Sequence, residues 1–122
     1  MKSIQAEVHH SGPVSILALH GRLVLGQAAT GFRSAVTEML NAGNRRIVLN
    51  FGGVPYVDSA GVGALAVSFS NIKAAGGFLA IAETQQVVRD VLELTGLTRI
   101  IPLFDSEPQA IDSLSVNLTS AN

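Results

Sequence analysis

Cysteine is absent from this chain, and so are long apolar runs and any strong excess of one charge. Without cysteine there is no disulfide framework, no thiolate zinc site and no cysteine nucleophile. That suits a reducing compartment. Apolar residues make up 48% of the chain, yet no stretch approaches the ~20 needed to span a bilayer. The start, Met1-Lys2-Ser3-Ile4-Gln5, has no apolar signal core. A cytoplasmic protein away from membranes is the expectation. The formal net charge is −1, and Arg45-Arg46 is the only basic pair. No basic stripe is available to neutralise a phosphate backbone, so nucleic acid is not an expected partner. What remains is 122 residues without repeat or linker, enough for one domain with a real core.

Apolar patterning gives alternating strands and helices. Ile4–Val8 and Val14–Leu19 read as strands paired antiparallel through a turn at Ser11-Gly12-Pro13. A short extended piece, Leu23–Leu25, precedes a helix over Ala28–Ala42 that buries Phe32, Val36, Met39 and Leu40 and ends at Gly43. Arg46–Phe51 has the short, β-branched character of a strand covered on both faces. From Ser59 the period becomes helical, with Val62, Leu65, Ala66, Phe69 and Ile72 apolar, until Gly76-Gly77. Phe78–Ala82 is a strand, and Gln85–Thr95 is a helix stopped at Gly96. Ile100–Phe104 is a last strand, and Ser106-Glu107-Pro108-Gln109 is a capping-box signature for a final helix with Ile111, Leu114 and Leu118 inward and a frayed tail from Thr119. The fold class is therefore α/β, with a mixed, mostly parallel sheet, an N-terminal antiparallel hairpin and about four helices. Helices that follow parallel strands start near one edge of the sheet. Ser59, the Glu83-Thr84 turn and the Leu25–Gln27 turn are expected to share it, and such edges commonly bind ligands and partners.

The chemistry-bearing segment is Val57-Asp58-Ser59-Ala60-Gly61-Val62-Gly63. Asp58 or Ser59 suits the N-cap, because a short side-chain oxygen accepts from the first turn's orphan N–H groups. Gly61 and Gly63 each cost a helix ~1 kcal/mol relative to Ala, and they clear side chains from beside Ser59. From local pattern alone a plain cap is favoured over a site that something else approaches.

Three enzymatic readings compete. Gly61-Val62-Gly63-Ala64-Leu65-Ala66 fits G-x-G-x-x-(G/A), with Glu83 about 20 residues on for a ribose contact. Against a nucleotide-binding enzyme, Gly52–Val57 separate these glycines from the strand, and no substrate domain fits. A receiver built on Asp58 lacks an acidic pair after an early strand and a late lysine, the lysines being Lys2 and Lys73. A serine hydrolase lacks a base near Ser59. His9, His10 and His20 lie early without an acidic orienter, and His9-His10 reads as a solvated strand-end pair. There is no P-loop.

The Asp58-Ser59 segment resembles the motif of the STAS domain, the family of bacterial anti-sigma factor antagonists. The resemblance extends to Gly21-Arg22-Leu23, Ile47-Val48-Leu49-Asn50, Ala75-Gly76-Gly77 and Leu94-Thr95-Gly96-Leu97 with Ile100-Ile101, covering about 14–114. It implies a small STAS-like domain that is not an enzyme and needs no cofactor or metal. Its partners would be a serine-kinase anti-sigma factor and an opposing phosphatase, with weak self-association besides. Ser59 would be the phosphorylated residue, and Arg22, Val24, Asp58, Ser59, Ala60, Gly61, Val62, Gly63, Glu83 and Thr84 the partner-binding set. ATP and Mg²⁺ would belong to the kinase. A STAS scaffold subunit of a stress-signalling complex or a phospholipid transport ATPase is the alternative within the fold. The family often carries Gly-Glu-Leu-Asp where this chain has Gly21-Arg22-Leu23-Val24. The expected partner surface is therefore more apolar, or acidic where Arg22 lands.

Overall fold

The computed structural model describes residues 4–120, with side chains described through residue 115. Two strands, β1 (Gln5–Ser11) and β2 (Val14–His20), form the hairpin. They are followed by α1 (Gln27–Asn41), β3 (Arg46–Gly53), α2 (Ser59–Ala74), β4 (Phe78–Ala82) and α3 (Gln86–Leu94). A 3-10 turn at Leu97–Arg99, β5 (Leu103–Phe104) and α4 (Glu107–Ser120) complete the chain. The sheet order is β1-β2-β3-β4-β5, antiparallel for the first pair and parallel thereafter.

Each parallel connection steps one strand in the same direction. Right-handed crossovers repeated in one direction put α1, α2 and α3 on one face of the sheet. The strand alternation matches that layout. Leu17, Leu19, Ile47, Leu49, Leu79 and Ile81 pack with Phe32, Leu65, Ile72, Val88 and Leu92 from those helices. The opposite residues, Val14, Ile16, Val48, Ala80 and Ala82, pack under Ala110 and Leu114 of α4. Burial on both faces is why β3 reads as a continuous apolar run.

Local chemistry sets the ends. Gly12-Pro13 makes a two-residue turn, with Ser11 pairing Val14 and Gly12 at φ 58, as a hairpin with glycine at the first central position requires. β1 therefore runs past Val8 to Ser11. His9 and His10 lie inside it, on opposite faces, rather than at a strand end. The α1 terminus is a Schellman closure, with Asn44 N–H donating to Met39 O at 3.0 Å and Gly43 at φ 94. Arg45 donates to Leu40 O at 2.9 Å there.

Three further sequence expectations change. The Leu23–Leu25 piece shrinks to a single bridge, Leu23 with Val57. Ile100–Phe104 keeps only its last two residues as strand: Ile100 and Ile101 both donate to Leu97 O in the 3-10 turn, and Pro102 has no N–H to give. The final helix runs to Ser120, past the fraying expected from Thr119. Its start is the anticipated capping box, with Gln109 N–H donating to Ser106 Oγ and Ser106 N–H to Gln109 Oε1, both at 3.3 Å. Leu118 lies outside the described side chains.

Candidate functional site

At the carboxyl end of the sheet, the loops leaving β2 and β3 run alongside each other. Leu23 N–H donates to Tyr56 O at 2.9 Å, and Asp58 N–H to Leu23 O at 3.3 Å. This short parallel extension carries the chain from β3 to the start of α2. Asp58 then joins the two loops through its side chain. Oδ1 accepts from Gly61 N–H at 2.9 Å, and Oδ2 from Leu25 N–H at 3.0 Å. Asp58 is the N-cap of α2. The N–H of Leu25, with those of Gly61 and Ala60, holds the carboxyl below its usual range, against a smaller opposing effect of burial.

Ser59 is the first residue of α2, not its cap, and is exposed. None of the described hydrogen bonds uses its hydroxyl. Of the two capping candidates the sequence offers, Asp58 takes the whole task. The Ser59 hydroxyl stands at the surface beside a fixed carboxylate.

The two glycines differ. Gly63 is exposed, and a Cβ there would meet nothing within 4 Å. Gly61 is buried, and a Cβ would overlap the carbonyl oxygen of Leu23 and lie 2.8 Å from Val57 Cγ1. Gly61 thus serves the close approach of α2 to the Leu23–Val57 bridge. The expectation that it clears a path to Ser59, or faces a partner itself, is corrected. Its N–H is also spent on Asp58, so it is not free to cradle a phosphate as a dinucleotide fingerprint would.

Of the remaining expected positions, Arg22 is exposed with its guanidinium carbon 5.2 Å from the centre of the Tyr56 ring, within cation–π range. Val24, Ala60 and Val62 are half-buried around the same loops. Glu83 and Thr84 lie at the same sheet edge, but none of the described hydrogen bonds ties them to Asp58 or Ser59. Glu83 takes a left-handed backbone at φ 65. Its N–H donates to Phe104 O and its Oε2 accepts from Glu107 N–H, both at 3.0 Å. Glu83 therefore serves the N-terminus of α4. Thr84 Oγ1 is buried and has no partner among the described residues.

Sequence reasoning missed Tyr56, 40% exposed, and placed the Leu25–Gln27 turn at this edge without foreseeing that Leu25 is 79% exposed. Tyr56 lies two residues before Asp58 and Leu25 is tied to it by its N–H, so two exposed apolar residues belong to the loops that meet at Asp58. A lone leucine before a glycine has no periodicity to announce exposure, and the Asp58–Leu25 bond shows how closely its turn approaches Asp58. Among the described residues, no group of three or more His, Cys, Asp or Glu could hold a metal ion, and no helix is long and apolar enough to cross a membrane.

The STAS domain profile matches residues 5–110. The chain belongs to the STAS domain family. It is similar to an anti-sigma F factor antagonist of Paenibacillus polymyxa, 28% identical over 115 residues that cover 93% of this chain and 97% of that one. A crystal structure of a Thermotoga maritima protein superposes with a TM-score of 0.84 at 28% identity, covering 90% of this chain and 94% of the other. The Bacillus cell fate determinant SpoIIAA in its phosphorylated form shares the fold, with a TM-score of 0.69 and 21% identity over 90% of this chain and 99% of that one. As a STAS domain the chain places its Asp58-Ser59 pair at the loop-to-helix junction just described.

Proposed function

We propose that this STAS domain is an anti-sigma factor antagonist. It binds a serine-kinase anti-sigma factor through the loops around Ser59 and is released when the kinase phosphorylates Ser59. An opposing phosphatase restores the binding form. The domain acts by binding and holds no cofactor; nucleotide and metal belong to the kinase. One observation carries the reading: Ser59 is exposed at the first position of α2 while Asp58 performs the capping. A hydroxyl held for structure would be engaged in the fold. The similarity to the Paenibacillus polymyxa antagonist over nearly the whole chain supports it.

The geometry supplies a mechanism for release. A phosphate adds ~1.5 to 2 negative charges at pH 7. A helix N-terminus ordinarily welcomes phosphate through its free N–H groups, but here Asp58 holds the Gly61 N–H. The new charge therefore meets the Asp58 carboxylate. At ~6 Å and an effective dielectric of ~20 to 80, the repulsion is ~1 to 5 kcal/mol. That strains the Asp58–Leu25 bond as well as any partner surface packed on Leu25 and Tyr56. Arg22, placed over Tyr56 at the rim, favours a partner bearing an acidic group there.

The test is incubation of the purified domain with the kinase that co-purifies with it from its native host, followed by mapping of the phosphate. The reading expects a single phosphate on Ser59 and none on the Ser59→Ala variant. Phosphate on Ser106 or Ser113, or no kinase among the bound proteins, overturns it.

A further inference from the structure

Away from the Ser59 edge, the sheet leaves one long strand unpaired on its outer side. β1 ends the sheet, and all seven of its residues are exposed. The opposite edge, β5, is only two residues long and so offers little template. A long open edge presents a row of unpaired N–H and C=O groups to any strand that can align with it. Among the described residues nothing covers it. On its α1 side β1 borders a groove lined by Ala6, Val8, Ala35 and Met39 together with the polar His10, Glu38 and Asn44, and Val8 is 48% exposed.

We infer that β1 pairs antiparallel with β1 of a second copy of this chain, about a twofold axis through Val8, to give one continuous ten-stranded sheet. The strand reads Gln5-Ala6-Glu7-Val8-His9-His10-Ser11, and Val8 is its middle residue. Turned on itself, it sets Val8 against Val8, Glu7 against His9, Ala6 against His10 and Gln5 against Ser11. Both acidic side chains thus face an imidazole. Directly opposite side chains are the unit of sheet stabilisation, and like charges there destabilise.

The competing registers are worse. Opposite residues must share a face, so the register can shift only in steps that keep this parity. One step sets Glu7 against Glu7, and the other sets His9 against His9. A parallel arrangement of the two outer edges turns one sheet over, so like residues fall on opposite faces and Glu7 gains no opposite partner of its own kind or of the other. Only the Val8-centred antiparallel register separates like groups and brings unlike ones together.

His9 can serve both neighbours. Its Nε2 lies 3.3 Å from Glu107 Oε2 of α4 in its own chain, which leaves Nδ1 for Glu7 of the second copy. With the axis perpendicular to the sheet, both α1 helices fall on one side. The two Val8 side chains then meet between them and cover the apolar part of each groove. A single seven-residue strand pair makes a weak, concentration-dependent dimer. The Ser59 edge lies at the strand ends, not along β1, and is left open to its partner.

Sedimentation equilibrium of the full chain over a wide concentration range tests this. Wild type should move from one chain toward two. Glu7→Lys and His9→Glu, each alone, should weaken association by about tenfold: the first replaces both carboxylate–imidazole pairs by lysine–imidazole pairs, and the second places glutamate opposite glutamate twice. An equimolar mixture of the two variants should regain association, because the introduced lysine faces the introduced glutamate while the remaining Glu7 faces the remaining His9. Melting temperatures establish that both variants fold. Should His9→Glu unfold because it also confronts Glu107, the measurement becomes amide exchange in wild type, where outward-facing β1 amides should slow with concentration. A chain that is monomeric throughout, a dimer indifferent to both variants, a mixture no stronger than its components, or β1 exchange independent of concentration overturns the inference.

Discussion

Removing the Asp58 side chain tests the architecture on which the proposed switch rests. Asp58→Ala deletes two hydrogen bonds, the cap to Gly61 N–H at 2.9 Å and the tie to Leu25 N–H at 3.0 Å. Loss of an N-cap costs ~1 kcal/mol. The second bond has a charged acceptor but lies at the surface, where water can take over the freed N–H, so it contributes ~1 kcal/mol more. The expected destabilisation is ~2 kcal/mol. For a chain of 122 residues, with an unfolding entropy of ~2.1 cal/mol/K per residue, that lowers Tm by ~8 °C. Asp58→Asn should fall between, since its one carbonyl oxygen can cap Gly61 while its amide offers Leu25 a donor in place of an acceptor.

The pH dependence has a definite sign. A carboxyl whose folded pKa lies below its unfolded value stabilises the fold at every pH above the unfolded value, 3.8 here. The contribution fades as pH falls through the folded value. Urea unfolding of wild type and Asp58→Asn from pH 7 to pH 2.5 should therefore show a gap that is constant down to about pH 4 and narrows below it. A variant within ~0.5 kcal/mol of wild type at pH 7, or a gap that is the same at both extremes, would refute the assignment of Asp58 as cap and tie.

Three further outcomes are expected. Gly61→Ala should destabilise the fold by ~1 to 3 kcal/mol through overpacking against Leu23 and Val57, whereas Gly63→Ala, with open space around it, should stabilise by up to ~1 kcal/mol; equal effects in thermal melts would mean that the Leu23 contact is not as close as described. Ser59→Ala should leave Tm within ~2 °C of wild type, because Asp58 does the capping, and a drop as large as that of Asp58→Ala would return Ser59 to a structural role. Glu83→Ala should cost ~1 kcal/mol by unpairing Glu107 N–H, while Glu83→Gly should cost less because glycine tolerates φ 65; denaturant midpoints for the two variants decide the order.

The parts of this structure that were legible in sequence are those fixed by local rules. β2, β3 and β4 announce themselves through apolar runs, α1 and α2 through period and terminal glycines, and α4 through a capping box that forms as written. Errors arose where a long-range contact or one residue's missing donor overruled the pattern. Ile100 and Ile101 carry strand propensity, but Pro102 and the turn after Gly96 consume them. Gly61 resembles Gly63 in sequence, and only the Leu23–Val57 bridge, joining loops 34 residues apart, separates a packing glycine from an open one. Ser59 and Asp58 were both legible as capping candidates. Which one caps depends on Leu25, whose N–H reaches Asp58 from a different loop. The Leu25–Gln27 turn was legible at this edge, but the exposure of Leu25 and Tyr56 was not, because nothing in local sequence distinguishes an apolar residue turned outward from one turned inward.

The most direct test of the central claim is a calorimetric comparison of the unphosphorylated domain, the enzymatically phosphorylated domain and Ser59→Asp, each titrated into the co-purifying kinase at low and high salt. The account predicts weaker binding by ~2 to 5 kcal/mol for the phosphorylated form if Ser59 lies at the centre of the interface. Ser59→Asp, with one charge, should show a smaller loss. At the rim the penalty should fall with added salt, since exposed charges are screened beyond ~8 Å at physiological ionic strength, whereas at the centre most of it should persist. Equal affinity of all three forms at every salt concentration would place Ser59 outside the interface and contradict the account.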